Sequence, residues 1–197
     1  YSSILDNVHG AMFRSTDIYT GLYIGYEDGL FRHFPWQDNS VPTYPSIGYE
    51  CQIDMEYTVG YNPRCRTWYI SAKADPDTVQ VSPPYVDAGS GNVMITVSRA
   101  VVLSDNTFIG VVAADPSMDV LATTILAATV LEHGYTYICN SNKTLIVHPN
   151  MDSSDGIVYS VRDKEFHNTA EADAFDSVLT SNIFTGVQGQ SIFYKND

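Results

Sequence analysis

With 197 residues, 23 acidic against 10 basic side chains and a formal net charge of −13, the chain is large enough to bury roughly 70% of its unfolded surface without disulfide staples. It is too acidic for phosphate backbones or anionic lipid surfaces, so nucleic acid is not an expected partner. A hydrophobic content of 44% against 17% charged residues excludes a solvated disordered tail.

Strands separated by turns, without regular βαβ alternation, give an expected α+β fold with antiparallel sheets. Residues 1–9 read as the stub of a longer helix. Residues 20–26 alternate as a strand, and Glu27-Asp28-Gly29 turns the chain so that 30–34 return as a hairpin that Pro35 ends. Residues 36–60, rich in Pro, Gly, Asn and Asp, form an excursion over the surface. A helix is expected over 66–74, a short strand over 79–82, then two long β-rich runs, 92–103 and 107–114, joined by Ser104-Asp105-Asn106. Val120, Leu121, Thr124, Ile125, Ala128 and Leu131 then recur at helical spacing and define a connector over 117–132. A second hairpin over 135–140 and 144–148, a helix over 170–179 and a strand over 186–194 follow. These belong to a second unit expected to continue beyond Asp197.

The segment Tyr61-Asn62-Pro63-Arg64-Cys65-Arg66-Thr67-Trp68-Tyr69, followed by Pro84-Tyr85 and by the strand Gly110 to Asp115, is the most informative. In this order the pieces resemble the double Cache (dCache) family of extracellular sensors. The run from Tyr23 to Pro35 resembles its eukaryotic branch, which includes the α2δ-type calcium-channel subunits. Within the family, one subset carries an amino-acid-binding signature, and Tyr61, Arg66, Trp68, Tyr69, Tyr85 and Asp115 match it in order and at similar spacing. The resemblance implies tandem PAS-like modules: 10–116 membrane-distal and ligand-binding, 133–197 membrane-proximal and incomplete.

The chemistry of these side chains is consistent with that role. A buried zwitterion needs fixed donors for its carboxylate and an acceptor for its ammonium, or desolvation outweighs the contacts. Arg66 offers a bidentate fork and the Trp68 indole an uncharged donor, which the family also assigns to the carboxylate end. Asp115 would meet the ammonium, Tyr85 would add its hydroxyl or ring face, and Tyr61 and Tyr69 would wall the site. The competing reading is structural, with Arg66 and Asp115 paired across a sheet and the aromatics as core. Fourteen tyrosines fit either reading.

Other motifs carry less. Cys65 between two arginines suggests a lowered thiol pKa, but no phosphatase-type Arg follows at the needed spacing, which leaves a disulfide to Cys51 or a buried thiol. Cys51, Cys65 and Cys139 lack zinc-ligand spacing. The scattered histidines show no HExxH pair or serine elbow, and Gly89-Ser90-Gly91 has no following Lys to make a P-loop. His148-Pro149 reads as a structural pair. Asp152 and Asp155 read as a solvated loop rather than a calcium site. Asn142-Lys143-Thr144 is a glycosylation sequon that matters only in a secretory compartment. The longest apolar helical stretch is too short to cross a bilayer, so any membrane anchor is expected outside the chain.

The expected function is that of an extracellular sensor domain in a membrane protein. It would recognise a small amino acid or related amine and relay a signal to membrane-attached parts, without catalysis, cofactor or metal. The alternative is an interaction module of an α2δ-like channel subunit that contributes protein contacts and channel regulation. A dimer or a channel or receptor partner fits either.

Overall fold

The computed structural model describes residues 2–35, 61–87, 90–128, 134–166 and 168–178, together with Thr180. The excursion at 36–60, Cys51 and the strand expected at 186–194 lie outside the described residues.

Helix α1 (Ser2–Arg14) runs five residues past the expected stub. Ser15 closes it, its backbone N–H and hydroxyl both donating to the Met12 carbonyl. Gly10 lets the helix approach Phe34, whose ring also meets Phe13 edge-on at 5.3 Å.

The hairpin forms as its turn residues require. Strand β1 (Tyr19–Tyr26) pairs antiparallel with β2 (Phe31–Phe34), and Gly29 takes φ +93°, a conformation that L side chains rarely adopt. A five-stranded antiparallel sheet follows in the order β2-β1-β7-β6-β3, with β3 at Gln80–Val81, β6 at Val97–Val102 and β7 at Phe108–Pro116. Helix α2 (Thr67–Ala74) lays Trp68, Tyr69 and Ala72 on this sheet, where they form the core with Tyr23, Val111 and Ala113.

The expected run 92–103 divides in two, and the cause is local. Strand β5 (Val93–Met94) pairs with β4 (Tyr85–Val86), while Thr96 turns its backbone to Ser82: its N–H donates to Ser82 Oγ and its carbonyl accepts from Ser82 N. Thr96 is fully buried, between the small sheet and the large one.

Ser117 caps helix α3 (Met118–Leu126), accepting from the Val120 N–H. Beyond it, the hairpin β8 (Ile138–Cys139) and β9 (Leu145–Val147) is reached through Thr136, whose hydroxyl donates to the Ile125 carbonyl at 2.7 Å. Helices α4 (Val161–Glu165) and α5 (Thr169–Val178) follow this hairpin, and Val161 and Ala172 are buried, as are Leu145 and Val147 of β9. His148 bonds through Nε2 to Glu165 and accepts at Nδ1 from Asn150 N–H, which is the structural use expected of it. Asp152 and Asp155 satisfy groups of their own loop, and no cluster of metal ligands occurs among the described residues.

Strands β1 and β7 approach closely where two glycines meet: a Cβ on Gly110 would lie 2.1 Å from the Gly25 carbonyl oxygen. Backbone cannot yield there as a side chain can. Gly110→Ala is expected to destabilise the fold by about 2–3 kcal/mol or more, measured by denaturant unfolding. A loss under about 0.5 kcal/mol would contradict this packing.

Candidate functional site

The site begins at a short 3-10 turn, Pro63–Cys65, that delivers the chain into α2. Asn62 caps it, and the neighbouring Arg64 is 2% exposed. Arg64 donates from Nε to Asn62 Oδ1 and from Nη1 to the Glu27 carbonyl, both at 3.1 Å, and its guanidinium fills the space a Gly29 side chain would take. It therefore fastens the turn to the β1–β2 hairpin. Cys65 is disulfide-bonded and Cys139 is a free thiol.

With Arg64 committed to structure, Arg66 faces a different environment. It precedes α2 in extended conformation and lays its guanidinium over the Tyr61 ring, 4.5 Å from the centroid. The Tyr61 hydroxyl accepts from the Trp68 indole N–H at 3.3 Å, and its ring contacts Phe31 at 4.6 Å. Burial pushes the Tyr61 hydroxyl pKa up; the Trp68 bond and Arg66 oppose this, while Tyr85 and Asp115 add to it. Tyr61 thus lies within electrostatic reach of both ends of the site.

The other end is built on Asp115 of β7, which is 7% exposed. Its Oδ1 accepts from the Tyr23 hydroxyl and from the Thr96 hydroxyl, each at 2.7 Å. Thr96 also shares a hydrogen bond with the Tyr85 hydroxyl at 2.8 Å. Asp115 forms no ion pair with Arg66 among the described residues, so the cross-sheet pairing is not what holds them.

Burial raises the Asp115 pKa above the ordinary aspartate value, against the lowering effect of the Tyr23 and Thr96 bonds and of His33. Desolvation of the buried carboxylate is the largest of these effects and sets the direction. Burial likewise pushes the Tyr85 hydroxyl up to about 12.

Tyr69 stands apart from the other five. It is 1% exposed, and its hydroxyl donates to Glu27 Oε2 at 2.7 Å, beside a Lys73–Glu27 ion pair. Burial raises the Glu27 carboxyl, but the bonds from Lys73 and Tyr69 outweigh it and hold that pKa below its ordinary value. Tyr69 meets the site through its ring, edge-on to Trp68 at 5.7 Å. Conversely, Tyr23, Thr96 and His33 belong to the Asp115 end, and although Tyr23 and His33 fall within the run from Tyr23 to Pro35, that run does not mark them as site residues. Only the even spacing of Tyr23 and Gly21 along β1 hinted that they share a face.

The arrangement sets a helix-borne aromatic cluster and a buried acid on one antiparallel sheet, as a sensor domain would. Residues 5–123 match the family described as methyl-accepting chemotaxis protein-like, first PDC sensor domain, and the chain belongs to it. The chemotaxis protein McpB of Bacillus subtilis is 28% identical over 182 residues, covering 89% of this chain and 26% of its own length. The chain thus spans about a quarter of the curated relatives it matches. Among solved structures, the ligand-binding domain of the Pseudomonas aeruginosa amino acid chemoreceptor PctC with GABA aligns at TM-score 0.60 and 22% identity, over 84% of this chain and 63% of that one. That of the Pseudomonas fluorescens chemoreceptor CtaA with L-serine aligns at 0.54 and 23%, over 74% and 53%. These likenesses show a shared fold: mixed helices with antiparallel sheets, in the double Cache manner. The expected kinship with the eukaryotic α2δ branch is not supported, since the matched family and these relatives are bacterial chemoreceptor sensors. The glycine-spaced run from Tyr23 to Pro35 that suggested it is explained here by hairpin packing.

The raised Asp115 pKa has a stability consequence. The folded state holds this proton more tightly than the unfolded chain, so the residue destabilises the fold as pH rises from the ordinary carboxylate value through the raised one. Asp115→Asn, which keeps an acceptor for Tyr23 and Thr96, is expected to melt higher than the wild type at neutral pH without ligand. The difference should vanish in acid. A wild type more stable than Asp115→Asn at neutral pH would contradict this account.

Proposed function

We propose that residues 10–116 form the ligand-binding module of a bacterial chemoreceptor sensor that recognises a small amino acid or related amine. Residues 117–132 connect it to a second module at 133–197. Arg66 and the Trp68 indole take the ligand carboxylate and Asp115 its ammonium, with Tyr61 and Tyr85 between them and Tyr69 packed beneath Trp68. The observation that carries this reading is the buried carboxylate of Asp115. It is held in place by hydroxyls, left without an ion pair by the described residues, and opposite an arginine laid on a tyrosine face. The complexes of CtaA with L-serine and PctC with GABA support the ligand class.

The binding step needs little chemistry beyond charge. An ammonium restores what burial removed from Asp115, so binding favours the ionised carboxylate. Signal output then follows from ordering the β7 end that leads through Ser117 into α3, since Ser117 N–H also donates to the Ile18 carbonyl beside β1. Its kinship with chemoreceptors supports an extracellular position for the sensor in a membrane protein. Among the described residues no helix is long and apolar enough to cross a membrane. The channel-subunit reading finds no observation in its favour.

A thermal-shift screen of the chain against the standard amino acids, GABA, taurine and polyamines tests the assignment. At 100 times the dissociation constant a ligand adds about 2.7 kcal/mol, or roughly 5–10 °C for a chain of this size. Arg66→Ala and Asp115→Ala should each abolish the shift, whereas Tyr69→Phe should keep it. No shift with any compound would overturn the reading.

A further inference from the structure

The ammonium end of the site holds a second group aimed at the same space. His33 on β2 stacks on Tyr23 with ring centroids 5.3 Å apart and an interplanar angle of 15°. Its Nδ1 lies 2.8 Å from the Pro35 carbonyl oxygen. A carbonyl only accepts, so Nδ1 carries the proton, and in the neutral ring Nε2 is the acceptor. Gly21, opposite Asp115 in the β1–β7 register, shows where Nε2 points: a Cβ there would lie 2.9 Å from His33 Nε2 and 3.2 Å from Asp115 Oδ2. Both atoms therefore flank the same face of the buried Gly21, which only a residue without a side chain leaves to them. Asp115 spends Oδ1 on Tyr23 and Thr96, and Oδ2 takes no hydrogen bond among the described residues.

Resting on the amino-acid reading above, we propose that His33 is a specificity-determining residue of this site. Its neutral Nε2 acts with Asp115 Oδ2 as the pair of acceptors for a ligand ammonium, and protonation of His33 closes that end. The closing follows from charge. A protonated His33 places a positive charge within electrostatic reach of Asp115, supplying the cation that the ligand would otherwise bring. Among the described residues, the titratable and charged groups facing His33 are Tyr23 from β1 and Asp115 from β7. Asp87 acts on Asp115 from beyond β4, and Arg14 of α1 lies over the adjacent Phe34 ring. Tyr23 is held neutral by burial and by Asp115, so Asp115 is the group to which a protonated His33 responds.

The test is isothermal titration of the chain with whichever amino acid gives the largest thermal shift, across about pH 8 to about pH 5.5, where histidines change charge. Where bound ligand excludes the proton, affinity falls about tenfold for each pH unit below a histidine's midpoint. The wild type should show that fall, and His33→Gln, which keeps an acceptor but does not titrate here, should show a shallower one over the same range, with only the contribution of Asp115 remaining. His33→Phe should bind at least about tenfold more weakly at the upper pH. Equal profiles in wild type and His33→Gln would overturn the role of His33 while leaving the amino-acid reading intact, the shared fall then belonging to Asp115. Failure of every amino acid to bind the wild type would overturn both.

Discussion

A buried carboxylate with no cation paired to it among the described residues is the constraint around which this domain is arranged. Asp115 sits on the central strand of the large sheet, and two hydroxyls stabilise it from different directions: Tyr23 from the neighbouring β1 and Thr96 from the segment between β5 and β6. Those bonds restrain its geometry without neutralising its charge. The outcome is a polar group that costs the unliganded fold stability and becomes favourable when a cation arrives. Binding sites often carry such a cost, because the missing counter-charge is what the ligand supplies.

The rest of the architecture keeps that group in register with its counterpart. Arg64, Gly29 and the Glu27 carbonyl lock the 3-10 turn onto the hairpin, so the following Arg66 and Trp68 are set by a buried arginine rather than by a mobile loop. Tyr23 joins the two ends, binding Asp115 with its hydroxyl while its ring meets Trp68 edge-on at 5.1 Å. Tyr69 secures α2 from the far side through Glu27 and Lys73. Adjacent basic residues thus divide their labour: one is consumed by the scaffold and the other is laid across an aromatic face. Asp115 itself lies one residue before Pro116 and two before Ser117, the cap of α3.

Much of this was legible in the chain, and the misses have physical causes. The hairpin at Glu27-Asp28-Gly29, α2, β7 and α3 follow from turn chemistry and hydrophobic spacing, because each is specified by residues close in sequence. The division of 92–103 was not, since it depends on Ser82 capturing the Thr96 backbone from fourteen positions away. For the same reason Thr96 and Tyr23 were invisible as site residues: a threonine and a tyrosine in β-rich runs look like ordinary strand residues until the sheet order places them on one carboxylate. Tyr69 matched a spacing pattern, yet Glu27, 42 positions earlier, claims its hydroxyl. The α2δ expectation failed because glycine-rich hairpin packing, with Gly25 against Pro63 and Trp68, recurs for steric reasons that do not distinguish branches of one family.

The central claim is that Asp115 and Arg66 receive opposite ends of one zwitterion. An experimental structure of the chain with a bound amino acid measures this directly. The account predicts the ligand nitrogen within about 3 Å of Asp115 Oδ2 and the ligand carboxylate on the Arg66 guanidinium and Trp68 indole. An amino acid bound with its carboxylate toward Asp115, or held elsewhere on the domain with Asp115 still buried against Tyr23 and Thr96 alone, would contradict it.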